Sequence, residues 1–441
     1  MKWIDRKSPV LKADRRALVR DPDAPLRILM TSYRSHPFSG GQGVYMRHLT
    51  RALSDLGHSV DVISGPPYPD LDPRVRLIML PSLDLYAEKY PLRALRPKHL
   101  KSFTDLYEWA AHNSGKFPEP YTFGRRLEKY MADKIKDYDV VHDNQTLSWG
   151  ILKLRDMGAP LVATLHHPIT VDRDLALAAN AGWGFKKWGM RQLIRRWHSF
   201  LPMQIKVAQE IDHIVTISDV SRRDFSREFS LDTDKIRKVS LGIDTDAFRP
   251  MPEVETQPES LICTSSADVA LKGLVYLIDA LGLLADTRPN LTLTVVGSLR
   301  DGPTKRRLKK LGLTDRVRFV SGISQEELTR AYNEAAIAVA PSLYEGFGFP
   351  AAEAMSCETP VIATTGGALP EAAGDAGVLV PPKDPKALAA AIEDLLDHPD
   401  KRAAMAKAGR AHVLNAFSWA RCAMETADIY RQAINDAHTA S

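Results

Sequence analysis

Residues 335–364 constrain this chain more than any other stretch. Ala335-Ala-Ile-Ala-Val-Ala340 is a short apolar run of the kind a fully buried strand shows, and Pro360-Val-Ile-Ala-Thr364 is a second. Between them lies Pro341-Ser-Leu-Tyr-Glu-Gly-Phe-Gly-Phe-Pro350, followed by Ala351 to Met355, which are good helix formers. The two glycines make a tight loop, and Pro350 reads as the first helical residue. Strand, glycine loop, helix and strand in that order aim backbone N–H groups and the positive helix end at one spot, an arrangement that suits phosphate.

Two carboxylates flank that spot. Glu345 lies in the loop, and Glu353 is expected in the first turn of the helix. Like charges repel, so neither is there for a phosphate; sugar hydroxyls are the more natural partners. A nucleotide-sugar carries ribose on one side of its diphosphate and a hexose on the other, which matches the layout. The plainer reading is an acid stabilising a helix N-terminus, worth a few tenths to about 1 kcal/mol. It accounts for Glu353 alone, but not for Glu345, both glycines and Pro350 in register.

Glu345-Gly-Phe-Gly-Phe-Pro-Ala-Ala-Glu-Ala-Met355 resembles the Glu-x7-Glu signature of the retaining glycosyltransferases of family 4. Pro360-Val-Ile-Ala and Gly366-Gly-Ala-Leu-Pro-Glu371 are similar to that family too. The resemblance implies an α/β fold of the GT-B type: two Rossmann-like doubly wound domains facing across a cleft, with a C-terminal helix crossing back to the first domain. It covers almost the whole chain from residue 26. It also implies a retaining transfer from a nucleotide-sugar; a UDP-sugar is the default on frequency alone, and no metal or cofactor is expected, because Lys272 and the helix end near Gly348 would neutralise the leaving diphosphate.

At 441 residues the chain is long enough for two or three domains. Residues 1–245 carry 39 Lys/Arg against 29 Asp/Glu, and the remainder 20 against 25, so a basic front half precedes an acidic back half. We expect an N-terminal extension over 1–25, a first domain over 26–248, a second over 259–414 and a returning helix over 415–441. The hinge is expected in the polar, proline-rich stretch 250–258. No apolar run reaches the roughly 18–20 residues of a membrane span, and residues 1–25 lack the apolar core of a secretory signal. Cys263, Cys357 and Cys422 show no metal spacing and read as buried thiols in a reducing cytoplasm.

In the first half, Leu26 to Ser32 reads as a strand, His36 to Tyr45 as a glycine-containing loop, Met46 to Leu56 as a helix and Ser59 to Ile63 as a strand. The loop is not G-x-G-x-x-G, and no acid ends the second strand, so a dinucleotide site is disfavoured. Gly40 and Gly41 allow close backbone approach to a substrate; in the resembling family this loop faces the donor. Leu161-Val-Ala-Thr-Leu-His-His-Pro is another strand. The resemblance places His166 beside the reacting sugar and leaves His167 spare; a metal at this pair lacks carboxylate support. Residues 81–132 are rich in aromatics and charges without a clear period.

Residues 175–209 contain no Asp or Glu but hold Trp183, Phe185, Lys186, Lys187, Trp188, Arg191, Arg195, Arg196 and Trp197. An apolar face with Trp at its margins and cations beside it is what an interfacial helix needs, so residues 183–201 are a candidate for an anionic membrane surface. The competing reading is a core-facing helix with a solvated basic side. No nucleic-acid fold signature is present.

The second half restarts with a strand at Ser260, and Leu271 to Leu281 reads as its first helix, carrying Lys272 for phosphate. The family places an Arg six residues before that Lys; Ser266 stands there instead and removes one fixed positive charge. Implied donor contacts are thus Gly40, Gly41, Ser266, Lys272, Glu345, Gly346, Phe347, Gly348 and Glu353, with His166, Glu345 and Lys272 catalytic. The expected protein is cytoplasmic or peripheral on the inner membrane face, and its acceptor is a glycan or a lipid-linked one. The rivals are an epimerase or phosphorylase on the same fold, a non-catalytic sugar-nucleotide sensor, and a membrane- or RNA-binding scaffold.

Overall fold

A computed structural model describes residues 24–36, 41–265 and 267–439. Gly40 and Ser266 lie outside the described residues. The chain forms two compact units, residues 1–239 with 419–441, and residues 240–418.

The first unit is built on seven parallel strands: β1 (Arg27–Ser32), β2 (Ser59–Ser64), β3 (Arg76–Met79), β4 (Val140–Asn144), β5 (Leu161–Leu165), β6 (His213–Thr216) and β7 (Ile236–Lys238). Their order is β3-β2-β1-β4-β5-β6-β7. Apolar runs such as Leu161–Leu165 are buried along their whole length, as strands covered by helices on both faces must be. The order reverses direction at β1 and β4, and a doubly wound sheet takes its ligand outside the carboxyl ends of the strands at such a point.

The second unit has six parallel strands: β8 (Gln257–Thr264), β9 (Thr292–Val296), β10 (Val317–Val320), β11 (Ala335–Ala340), β12 (Val361–Thr364) and β13 (Val378–Val380). Their order is β10-β9-β8-β11-β12-β13, the same winding again. Each sheet carries its own apolar core, around Leu29, Val141 and Ile214 in one and Leu261, Val295 and Ile337 in the other. The three thiols are buried and unpaired. Among the described residues no helix is long and apolar enough to cross a membrane.

Several boundaries differ from the sequence reading. The division falls at Val239/Ser240, ahead of the proline-rich stretch 250–258. That stretch is tied down instead: Met251 N donates to Asn333 Oδ1 at 2.8 Å, and Thr256 Oγ1 to the Asn333 carbonyl at 3.1 Å. The helix expected from Met46 begins at Gly41, so Gly41 is an exposed residue of a first helical turn rather than of a loop. The glycine that a close approach requires is Gly43, where a Cβ would sit 1.9 Å from the His36 carbonyl oxygen.

Residues 81–132 contain two helices, Phe103–Asn113 and Glu119–Met131. Their periods were obscured by buried charge: Arg126 pairs with Asp105 at 2.5 Å and with the buried Glu108. The C-terminal helix Trp419–Thr439 belongs to the first unit. Its Trp419 ring stacks on His48 at 5.2 Å, and Tyr430 hydrogen-bonds the buried His142.

Candidate active site

Lys272 is not on a helix. It ends a short 3-10 turn, Ala270–Lys272, and the helix proper runs from Leu274 to Leu283. Gly273 interrupts the two with φ +62°, and a Cβ there would meet the Pro341 carbonyl oxygen at 2.0 Å. The reason for the break is this contact: the turn presses against the loop after β11, and Leu343 N donates to the Leu271 carbonyl at 2.7 Å. Lys272 is thereby brought to Glu345, with Nζ 2.7 Å from Oε1.

Ser342 Oγ donates to the same Glu345 oxygen at 2.7 Å. Ser342 is buried and Glu345 largely so, its side chain 16% exposed against 30% for Lys272. Two donors on one oxygen hold the carboxylate in a single orientation. The backbone of Glu345 is held as well. Ala368 N donates to its carbonyl at 2.8 Å, and Gly367, at φ +63°, leaves no room for a Cβ, which would lie 2.3 Å from that oxygen.

The loop ends at Gly348, which caps the helix Phe349–Ser356 in the left-handed region with φ +104°. A side chain there is doubly excluded, by the backbone angle and by Ala372 and Leu369 at 3.0 and 3.1 Å. Phe347 turns its ring inward against Phe349 and Phe417, at 4.9 and 5.1 Å between centroids, so only its backbone is available to a ligand.

Glu353 is the fifth residue of that helix, and the first turn holds no acid. The expectation of a first-turn position is therefore corrected, and with it falls the account of Glu353 as a helix-capping charge. Glu353 is instead partly buried, and burial pushes its carboxyl up to about 7, against which the Tyr332 hydroxyl, donating to Oε2 at 3.2 Å, pulls down. The buried Tyr332 hydroxyl is in turn 3.0 Å from Thr264 Oγ1 at the end of β8. A carboxyl balanced between its charged and neutral forms both accepts and donates hydrogen bonds.

In the first unit, His166 follows β5 and is buried. Its Nε2 is 2.6 Å from Asn144 Oδ1, and its backbone N–H donates to Gln145 Oε1 at 2.6 Å. Burial lowers its basicity to about 3, so the ring is neutral at physiological pH. Asn144 and Gln145 follow from β4, and Gln145 takes a left-handed backbone, φ +53°. His167 points elsewhere, to Asp172 at 3.0 Å. The histidine pair thus diverges, and among the described residues no cluster of three His, Cys, Asp or Glu is placed to hold a metal ion.

The sequence reading thus named Lys272, Glu345, Glu353, His166 and the 346–348 loop, and the structure brings Lys272 to Glu345. It missed Ser342, Tyr332, Thr264, Asn144 and Gln145. Ser342 carried a signal, lying three residues before Glu345 in the same loop. Tyr332 carried none, since its partners come from β8 and from the helix after β11.

Residues 39–247 match the family described as Glycosyltransferase Family 4, and residues 249–412 match Glycosyl transferases group 1. The MMP alpha-(1->4)-mannosyltransferase of Mycolicibacterium hassiacum is 43% identical over 93% of this chain and 98% of its own length. The glycogen synthase of Mycobacterium tuberculosis is 30% identical over 92% and 94%. Among solved structures, sucrose-phosphate synthase from Thermosynechococcus elongatus superposes with a TM-score of 0.70 at 25% identity, covering 93% of this chain and all of that one. Anabaena HepE, solved with UDP and glucose, shares the fold at a TM-score of 0.65 and 17% identity over 91% and 98%. With two doubly wound units of the GT-B type and homologues along nearly its whole length, the chain belongs to glycosyltransferase family 4 and is a glycosyltransferase.

Proposed function

We propose that this glycosyltransferase moves a mannosyl unit from a nucleoside-diphosphate donor to the 4-hydroxyl of an acceptor sugar, with retention and without a metal. The observation that carries the reading is Lys272 and Ser342 converging on one oxygen of Glu345, one loop away from the N-terminus of Phe349–Ser356. The sugar and linkage follow the relative named as an α-(1→4)-mannosyltransferase. An α-linked donor that yields an α-linked product retains its configuration.

In this reading the C1–O bond to the diphosphate breaks and the bonding electrons leave with the diphosphate. Lys272 and the N–H groups at Gly346 to Gly348 stabilise the charge that develops there. The acceptor oxygen bonds to C1 on the same face and its proton passes to a leaving diphosphate oxygen. Glu345 holds donor-sugar hydroxyls and Glu353 the ribose. Neutral His166, held by Asn144 and Gln145, is the first unit's candidate polar contact for a sugar. The acceptor is a glycan chain, free or carried on a lipid at an anionic membrane surface.

The test is incubation with UDP-mannose, UDP-glucose and GDP-mannose, with an α-(1→4)-linked manno-oligosaccharide as acceptor and a chelator in half of the samples. Acceptor-dependent release of nucleoside diphosphate with an α-(1→4) product, unaffected by the chelator, is expected; UDP-linked donors are tried first. A β-linked product, or loss of transfer on chelation, overturns retention or metal independence respectively. Conversion of the donor into an epimeric nucleotide-sugar with no acceptor product moves the protein to the epimerase reading.

A further inference from the structure

The helix Phe185–Trp197 has thirteen residues and not one of them is buried, whereas Trp419–Thr439 buries eight. That excludes a core-facing role, because a helix in a packed fold hides one stripe of its surface. What it exposes is apolar. Trp183, just before it, is fully exposed, Phe185 is 85% exposed, and Trp188, Met190 and Leu193 are each about half exposed. Phe185 and Trp188 stack at 5.9 Å, forming one aromatic tip. The other end is anchored: Trp197 stacks on the buried Phe117 at 5.1 Å and meets Tyr86 at 5.4 Å.

The charges on this helix have one sign. Lys186, Lys187, Arg191, Arg195 and Arg196 lie on the helix, no acid occurs over 175–209, and none of the five enters an ion pair among the described residues. We propose that this helix is an interfacial anchor for an anionic lipid bilayer, its aromatic tip entering the headgroup boundary and its five cations facing the lipid phosphates. The cations discriminate between partners, since a neutral glycan has no use for them. The aliphatic exposure discriminates too. Met190 and Leu193 gain nothing from stacked bases but gain from burial at an acyl boundary. No helix among the described residues spans a bilayer, so the contact is one of lying on the surface.

The test is flotation of the full chain with vesicles of phosphatidylcholine alone or mixed with phosphatidylglycerol, at low and high salt. Wild type is expected to float with the mixed vesicles and to be released by salt. A Trp183→Ser/Phe185→Ser/Trp188→Ser variant and a Lys186→Ser/Lys187→Ser variant should each bind at least about tenfold more weakly. Both should keep the wild-type melting temperature and unchanged transfer to a water-soluble acceptor, which separates this contact from the catalytic reading. Failure of wild type to float with mixed vesicles at low salt overturns the proposal. So does equal flotation of the variants, or tighter binding to single-stranded RNA than to the mixed vesicles.

Discussion

Lys272 Nζ lies 2.7 Å from Glu345 Oε1, joining the turn after β8 to the loop after β11. The two charges satisfy each other; under the proposed function a donor draws the amine to its diphosphate and the carboxylate to its sugar hydroxyls. Each variant should then fail differently. For Glu345→Ala we expect kcat/KM to fall about 10²–10³-fold with most of the loss in kcat. Lys272→Ala should raise the donor KM as well as lower kcat. Steady-state kinetics with circular dichroism to verify the fold decides it, and wild-type-like transfer by Glu345→Ala defeats the assignment.

Glu353 gives stability a pH dependence. Its carboxyl is raised by burial to about 7, whereas in the unfolded chain it titrates at the ordinary value of 4.5. The folded state therefore binds more protons between the two values, and stability falls as pH rises through that window. Glu353→Gln, a mimic of the neutral form, should remove about 1–3 kcal/mol of this slope. Melting temperatures from pH 4.5 to 8 measure it; parallel curves for wild type and variant refute the shift.

The Tyr332 hydroxyl orients Glu353, so Tyr332→Phe should weaken donor binding about tenfold while leaving kcat for the saturated enzyme near wild type. A 2′-deoxyribose donor tells whether the effect runs through ribose. Wild type should disfavour it, and the variant should discriminate less. Equal discrimination by both proteins would detach Tyr332 from the site.

Backbone contact makes Gly367 irreplaceable. Its φ of +63° and a Cβ only 2.3 Å from the Glu345 carbonyl oxygen predict that Gly367→Ala costs at least about 1–3 kcal/mol and displaces Glu345. Gly57 is the control: φ is +88°, but nothing lies within 4 Å of its Cβ. Gly57→Ala should lose stability through the backbone angle alone and leave transfer intact. Equal losses of transfer in the two variants would show that Gly367 has no special tie to the site.

Much of the fold was legible because parallel strands buried on both faces must be apolar runs. Ala335–Ala340 and Leu161–Leu165 stand where the residues place them. The helix signal at Leu271 misled, because a 3.6-residue period does not show that the Gly273 backbone must unwind to meet Pro341. The helices over 103–131 were hidden because their buried carboxylates are neutralised by Arg126, which comes from another part of that segment.

By itself the sequence determined two repeated strand–loop–helix windings, the glycines at their ligand ends and the two acids eight residues apart, since these follow from local period and backbone freedom. Tertiary structure alone decided which groups hold those acids, Ser342 and Lys272 on Glu345, Tyr332 and Thr264 behind Glu353. It also decided that no residue of Phe185–Trp197 is buried. Hydrogen bonds and burial depend on which elements meet in space, and sequence distance does not carry that information.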